Sequence, residues 1–186
     1  GRTQFRAMVQ TMPESVEKRL TNIMMSFMWG GDAHPRIARE VLYRPINKGG
    51  LNLLDIRARN DAINLMWLRT YLGIGLKRPV WTHLADALLA KAIASDSRNI
   101  EPAARVNTFL QTWNVSTRAK AGLPHCLKAM IKAAKKYGVW CQSSNPTLAL
   151  CEQLPVWSHI GREAGRVSEN SPSCRCLRDA HQLRTV

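Results

Sequence analysis

The one metal-like spacing in the chain is Cys174-x-Cys176-x4-His181. Thiolates and an imidazole are zinc ligands, but a structural site wants four of them at turn-compatible spacing. Cys-x-Cys is shorter than the usual two-residue gap, and no fourth ligand follows before Val186. Only Cys151 or His159, folding back, would complete the set. Thiols beside an unrelated histidine are therefore the expected state, with no metal or other cofactor. Carboxylates are no better placed. Two-metal catalysis clusters acidic groups around ions about 3.5–4 Å apart. Asp32, Asp55, Asp61, Asp86, Asp96 and Asp179 are instead scattered over different segments. None of the five histidines accompanies a nucleophile elbow. No catalytic residue is expected, and the chain is not expected to be an enzyme by itself.

What the chain does offer is positive charge. It carries 27 Lys plus Arg against 13 Asp plus Glu, a net +14. The excess is even, with 14 against 7 up to residue 93 and 13 against 6 after it, so it is no basic tail. A folded chain with a basic surface throughout implies a polyanionic partner, most often nucleic acid. A ribosomal or membrane-surface role shares that signature, as does a solvated surface with no partner. The densest case is Lys128, Lys132, Lys135 and Lys136, a set with no acidic residue in its segment. The six tryptophans raise base stacking, worth about 1–3 kcal/mol per base. Trp67, Trp81 and Trp113 fall on apolar stripes, as core residues do; Trp140 and Trp157 are freer, and Trp29 beside Gly30-Gly31 is a stacking candidate.

These residues must be positioned by helices. Thr11 and Glu14 suggest a capping box before a helix from Pro13 to Trp29. Its apolar stripe is Val16, Leu20, Ile23 and Phe27, widened by Met24, Met25 and Met28 into an adaptable core face. Gly30-Gly31 ends it. Ile37, Val41 and Leu42 form a short apolar-basic segment halted by Pro45. Gly49-Gly50 marks a reversal, and Asp55 is placed to cap the next helix. That helix puts Ile56, Ile63, Trp67 and Tyr71 on one face, with Arg57, Asn64 and Arg69 opposite. Gly73 and Gly75 close it. Pro79 opens a helix lined by Trp81, Leu84, Leu88 and Ala92. After a polar loop over residues 95 to 101, a helix is expected from Pro102 to Trp113 with Val106, Phe109, Leu110 and Trp113. Gly122 is a hinge, and Pro124 starts a helix through Tyr137 with Leu127, Met130, Ile131 and Ala134 inward.

The stretch from residue 27 carries a further signal. Phe27-x-Trp29-Gly30-Gly31 is followed by Pro35-Arg36-Ile37, then Val41-Leu42-Tyr43-x-Pro45. Next come Gly49-Gly50-Leu51-Asn52-Leu53-Leu54-Asp55-Ile56, Ala58-Arg59-Asn60 and Met66-Trp67-Leu68. This resembles the region after the polymerase core in reverse transcriptases of non-LTR, LINE-type retrotransposons, especially fungal ones. The resemblance is specific over residues 27 to 71 and softer over the rest. It implies thumb and post-thumb helices that cradle template and product. The family's catalytic aspartates lie in an upstream palm motif that has no counterpart here. Its Cys/His cluster lies beyond the end of this chain.

Together these readings give a mostly α protein. The expected form is an irregular helical bundle with at most one short β-hairpin, near Gly49-Gly50, and a loop-rich C-terminal part. Its expected division is a thumb-like helical segment at 1–75, a second helical segment at 76–140 and a loop-rich, truncated tail at 141–186. At 186 residues such a chain buries roughly 70% of its unfolded surface. Arg36, Arg39, Arg57, Arg69, Lys128, Lys132, Lys135 and Lys136 are the expected contacts to a nucleic-acid backbone. The implied partners are RNA, DNA or hybrid duplex and the rest of a parent polymerase; no membrane partner is expected. No segment reaches the ~20 apolar residues of a membrane span, and no signal-peptide core opens the chain. Five irregularly spaced cysteines suit reduced thiols inside a cell, and the resemblance implies the nucleus. A basic helical protein–protein adaptor and a decayed element copy without function are the alternatives.

Overall fold

The computed structural model describes residues 2–32, 36–73, 78–98, 100–139, 152, 154–156 and 171–183. Helix dominates, and no sheet is formed among the described residues. The elements are α1 (Arg2–Gln10), α2 (Glu14–Met28), α3 (Arg39–Tyr43), α4 (Ile56–Leu72), α5 (Val80–Lys91), α6 (His125–Lys136) and α7 (Pro172–Asp179). Short 3-10 turns stand between them. The chain divides into two compact units, Gly1–Met66 and Trp67–Val186, so the division falls within α4.

In the first unit the expected capping box does not form. Thr11 takes a left-handed φ of 59° and donates its hydroxyl to the carbonyl of Gln10. Pro13 becomes the N-cap, with no side-chain cap hydrogen bond. The other end of α2 closes as expected. Gly30, at φ 59°, lets Gly31 N–H reach the Ser26 carbonyl at 2.9 Å, a hydrogen-bonded cap that suits glycine. Further on, the Gly49 turn sends the chain back along α3. Leu51 and Leu53 N–H both donate to the Leu42 carbonyl, and Asn52 N–H donates to that of Arg44. This is a folded-back segment and not a ladder. Asp55 then caps α4, its Oδ1 accepting from Ala58 N–H at 3.0 Å.

α2 is rotated so that the methionine side of the expected core face, Met24, Met25 and Met28, turns inward and the Val16 to Phe27 stripe does not. Val16, Leu20, Ile23 and Phe27 are exposed, Phe27 at 86%, while Met25 is buried. The cause is Glu17, whose carboxylate accepts from Arg57 Nε and from Asn60 Nδ2, both at 3.0 Å. That pair of bonds turns the Glu17 and Met25 side of the helix inward. Only Ala7, Met25 and Leu42 form the buried apolar centre of this unit among the described residues.

The second unit holds the larger core. Leu68, Tyr71, Leu89, Trp113 and Met130 are each no more than 2% exposed. On α5 the buried residues are Thr82, Ala85 and Leu89, followed by Ala92, whereas Leu84 is 64% exposed. The expected face was thus off by about one position, because Asp86 is drawn toward Tyr71 and Arg78. The expected helix from Pro102 to Trp113 is not one either. A 3-10 turn at Pro102–Ala104 gives way to a knot of side-chain bonds. Gln111 Oε1 accepts from Val106 N–H, Asn107 N–H and Trp113 Nε1–H, and its Nε2 donates to the Ala104 carbonyl at 2.7 Å. Asn107 Oδ1 accepts from Phe109 N–H. These amides offer the backbone partners that a helix would otherwise supply. The apolar residues of the stretch, Phe109, Leu110 and Trp113, are still buried. An isolated antiparallel bridge pairs Ile93 with Val115 behind them.

Candidate nucleic-acid interface

α6 follows the N-cap Pro124 and is closed by the C-cap Tyr137 and by Gly138, whose φ of 59° lets Val139 N–H reach the Ala134 carbonyl. Leu127, Met130, Ile131, Ala133 and Ala134 are buried, which orients the helix without ambiguity. The lysines are consequently outside. Lys132, Lys135 and Lys136 are exposed and Lys128 is half-buried. At about 1.5 Å rise and 100° per residue, Lys128, Lys132 and Lys135 fall along one line some 10 Å long.

The four are not equivalent. Lys135 Nζ donates to the Val115 carbonyl at 3.3 Å, which holds the stem against the unit. Lys136 Nζ lies 5.1 Å from the centre of the Tyr137 ring, a cation–π distance. Lys128 and Lys132 make no ion pair among the described residues. Arg69 is exposed in the same unit. Arg36, Arg39 and Arg57 belong to the first unit and are exposed there. Arg57 is engaged by Glu17, and the hydrogen bond it donates to that carboxylate, then the carboxylate's charge, raises the guanidinium pKa.

The structure also shows a polar hub that periodicity had not picked out. In the second unit, Asp86 accepts from Tyr71 Oη–H at 2.5 Å and from both Arg78 terminal nitrogens, at 2.5 and 3.1 Å. Asn107 Nδ2 donates to the Tyr71 oxygen at 3.2 Å. Arg78 Nε is buried without a partner. Burial opposes the charge of Arg78, but the hydrogen bond and charge of Asp86 outweigh it and raise its pKa. The available signal was Asp86 itself, an acid in the apolar run Ala85 to Ala90. Through Asn107 the hub also joins Phe109 and Gln111, and through Tyr71 and Asp86 it braces α4 against α5 within the unit.

Among the described residues the cysteine cluster assembles no ligand set. Cys174 is buried and Cys176 exposed on α7. Two residues apart on a helix means about 200° of rotation, so their thiols point to opposite sides. No group of three His, Cys, Asp or Glu able to hold a metal occurs among the described residues. Cys151 and His159, the suggested completing ligands, lie outside those residues, as do Trp140, Trp157 and Gly75. Trp29 is half-buried with its Nε1 enclosed and unpaired. No helix among the described residues is long and apolar enough to cross a membrane. Compared with protein-family models, curated proteins and solved structures, the chain matches none.

Proposed function

We propose that this chain is a non-catalytic, nucleic-acid-binding portion of a LINE-type reverse transcriptase. The α6 face is the observation that carries the binding. Five buried apolar residues fix its orientation, four lysines stand outside, and the helix contains no acid. The unit that contains α6 has 17 basic against 7 acidic residues in its sequence, the first unit 10 against 6. Lysines at such spacing meet successive phosphates and position a duplex without reading its sequence. The polymerase identity rests on the motifs of residues 27 to 71, and the expected duplex is RNA, DNA or their hybrid.

One observation favours a polypeptide partner besides. Phe5 and Val9 on α1 and Val16, Leu20, Ile23 and Phe27 on α2 are exposed, the last four along one stripe of the helix, and an apolar stripe left bare suits an interaction surface. In a polymerase that surface would meet the rest of the parent chain; in a basic adaptor it would meet another protein.

The test is the salt dependence of duplex binding. Replacing Lys128, Lys132, Lys135 and Lys136 by Gln nearly preserves helix propensity. Each phosphate no longer neutralised should lower the slope of log affinity against log salt by about 0.7–0.9. Unchanged affinity and slope in the quadruple variant would make α6 a solvated face. Template-dependent extension of a primer by the purified chain would overturn the non-catalytic assignment.

A further inference from the structure

On the inner side of α6, within the second unit, lies a partly open cavity of about 210 Å³. Phe109, Val115, Ile131, Ala134 and Val139 form its apolar wall, and Lys135 stands among them. Gly138, where the chain leaves α6, also lines it. The cavity exceeds the roughly 150 Å³ that holds benzene in an engineered apolar core. A six-membered ring with one or two further carbons therefore fits.

The polar groups around it differ in what they have left to give. Thr108 Oγ1–H is committed to the Trp113 carbonyl at 2.8 Å. Asn114 donates its backbone N–H to Ser97 Oγ and its Nδ2 to Asp96 Oδ2. Lys135 gives one N–H to the Val115 carbonyl, and an ammonium has three. That bond also fixes where the charge sits, so little ordering remains for a ligand to impose.

We propose that this cavity binds a small apolar monocarboxylate, its ring or branched chain against Phe109, Val115, Ile131 and Ala134 and its carboxylate on Lys135. A phosphate monoester suits it less, since one cation and an apolar wall cannot serve a dianion with three acceptor oxygens. The proposal does not depend on the nucleic-acid reading; Lys135, common to both, serves a phosphate or this carboxylate but not the two at once.

The experiment titrates the whole chain with phenylacetate and, separately, with phenylacetamide, following backbone amide resonances by NMR. Saturable shifts at Val115, Ile131, Lys135 and Val139 are expected, with the acid bound about two- to fivefold tighter than the amide, as one part-exposed ion pair allows. Lys135→Met should equalise the two, and Val139→Trp should abolish both. If neither compound shifts those resonances, the cavity is not a site. Equal binding of acid and amide by the unaltered chain would remove Lys135 from it, a comparison that needs no variant to fold.

Discussion

The Tyr71 hydroxyl donates to Asp86 Oδ1 at 2.5 Å while accepting from Asn107 Nδ2 at 3.2 Å. One phenol thus ties α4 to α5 and to the turn that carries Trp113. Its ring packs against Phe109 at 5.8 Å and under the Arg78 guanidinium at 5.3 Å. Pairing offsets part of the cost of burying these charges, although Arg78 Nε stays unpartnered; removing one member leaves the others without partners.

The first prediction follows from that burial. Tyr71 has its pKa raised well above 10.0, by desolvation first and then by the negative charge of Asp86. A raised folded-state pKa means the folded chain keeps the proton longer than the unfolded one. The resulting stability is fully present below the unfolded value and is lost as pH rises above it, at up to about 1.4 kcal/mol per pH unit. Tyr71→Phe should cost about 1.5–3 kcal/mol near neutrality, since it unmakes a bond to a carboxylate and strands Asn107 Nδ2, and then show a flatter decline in the alkaline range. Urea unfolding of both chains at neutral and at alkaline pH measures this. Parallel declines would show that Tyr71 titrates like an exposed phenol.

Trp113 and Trp67 should separate clearly. Trp113 is 2% exposed with its Nε1–H bound to Gln111, whereas Trp67 is half-buried and meets Trp81 edge-on at 5.5 Å. Trp113→Ala should cost about 3–5 kcal/mol. Trp67→Ala should cost less than half of that, against the larger loss that its place on an apolar stripe suggests. Thermal melting of the two variants decides the order, and equal losses would mean that Trp67 is a core residue after all.

What could be read in advance follows a physical line. The helix starts at Pro79, Pro124 and Asp55 and the stop at Gly30-Gly31 depend on a few adjacent residues, and all were legible. So was the inward face of α6, where apolar and charged positions divide cleanly. Faces set by distant partners were not. Glu17 turns α2 through Arg57 and Asn60, 40 and 43 residues away. Asp86 turns α5 through Tyr71, and Gln111 replaces a helix by reaching back to Val106, Asn107 and Ala104. Periodicity counts apolar residues and is blind to a polar side chain whose partner is remote in sequence. The lysine face of the candidate site was legible, but the tie from Lys135 to the Val115 carbonyl was not, because nothing local announces it.

The two turn glycines should respond differently to a methyl group. A Cβ on Gly50 would collide with the Arg44 carbonyl, which is backbone and cannot swing aside. Gly49 has open space around it but a φ of 76°. Gly49→Ala should cost about 1–2 kcal/mol of left-handed strain. Gly50→Ala should cost more and displace the folded-back segment. Hydrogen exchange at the Leu51, Asn52 and Leu53 amides reports it directly: protection should survive in the first variant and fall in the second. Retained protection in Gly50→Ala would mean the α3 turn yields without cost.

The last prediction concerns the two sides of α2. Apolar spacing makes Leu20 and Phe27 core residues together with Met25, yet they are 36% and 86% exposed, whereas Met25 is 8% exposed. Surface positions without special contacts change stability by no more than about 0.5 kcal/mol. Leu20→Gln with Phe27→Gln should therefore leave the unfolding free energy of the isolated chain nearly unchanged. Met25→Ala, which removes one of three buried apolar side chains described in the first unit, should cost about 2–5 kcal/mol. The double variant should also self-associate less, since exposed apolar patches are what sticks. Sedimentation and urea titration together separate the cases. If the double variant unfolds more readily than Met25→Ala, the stripe is packed in solution and α2 is turned the other way.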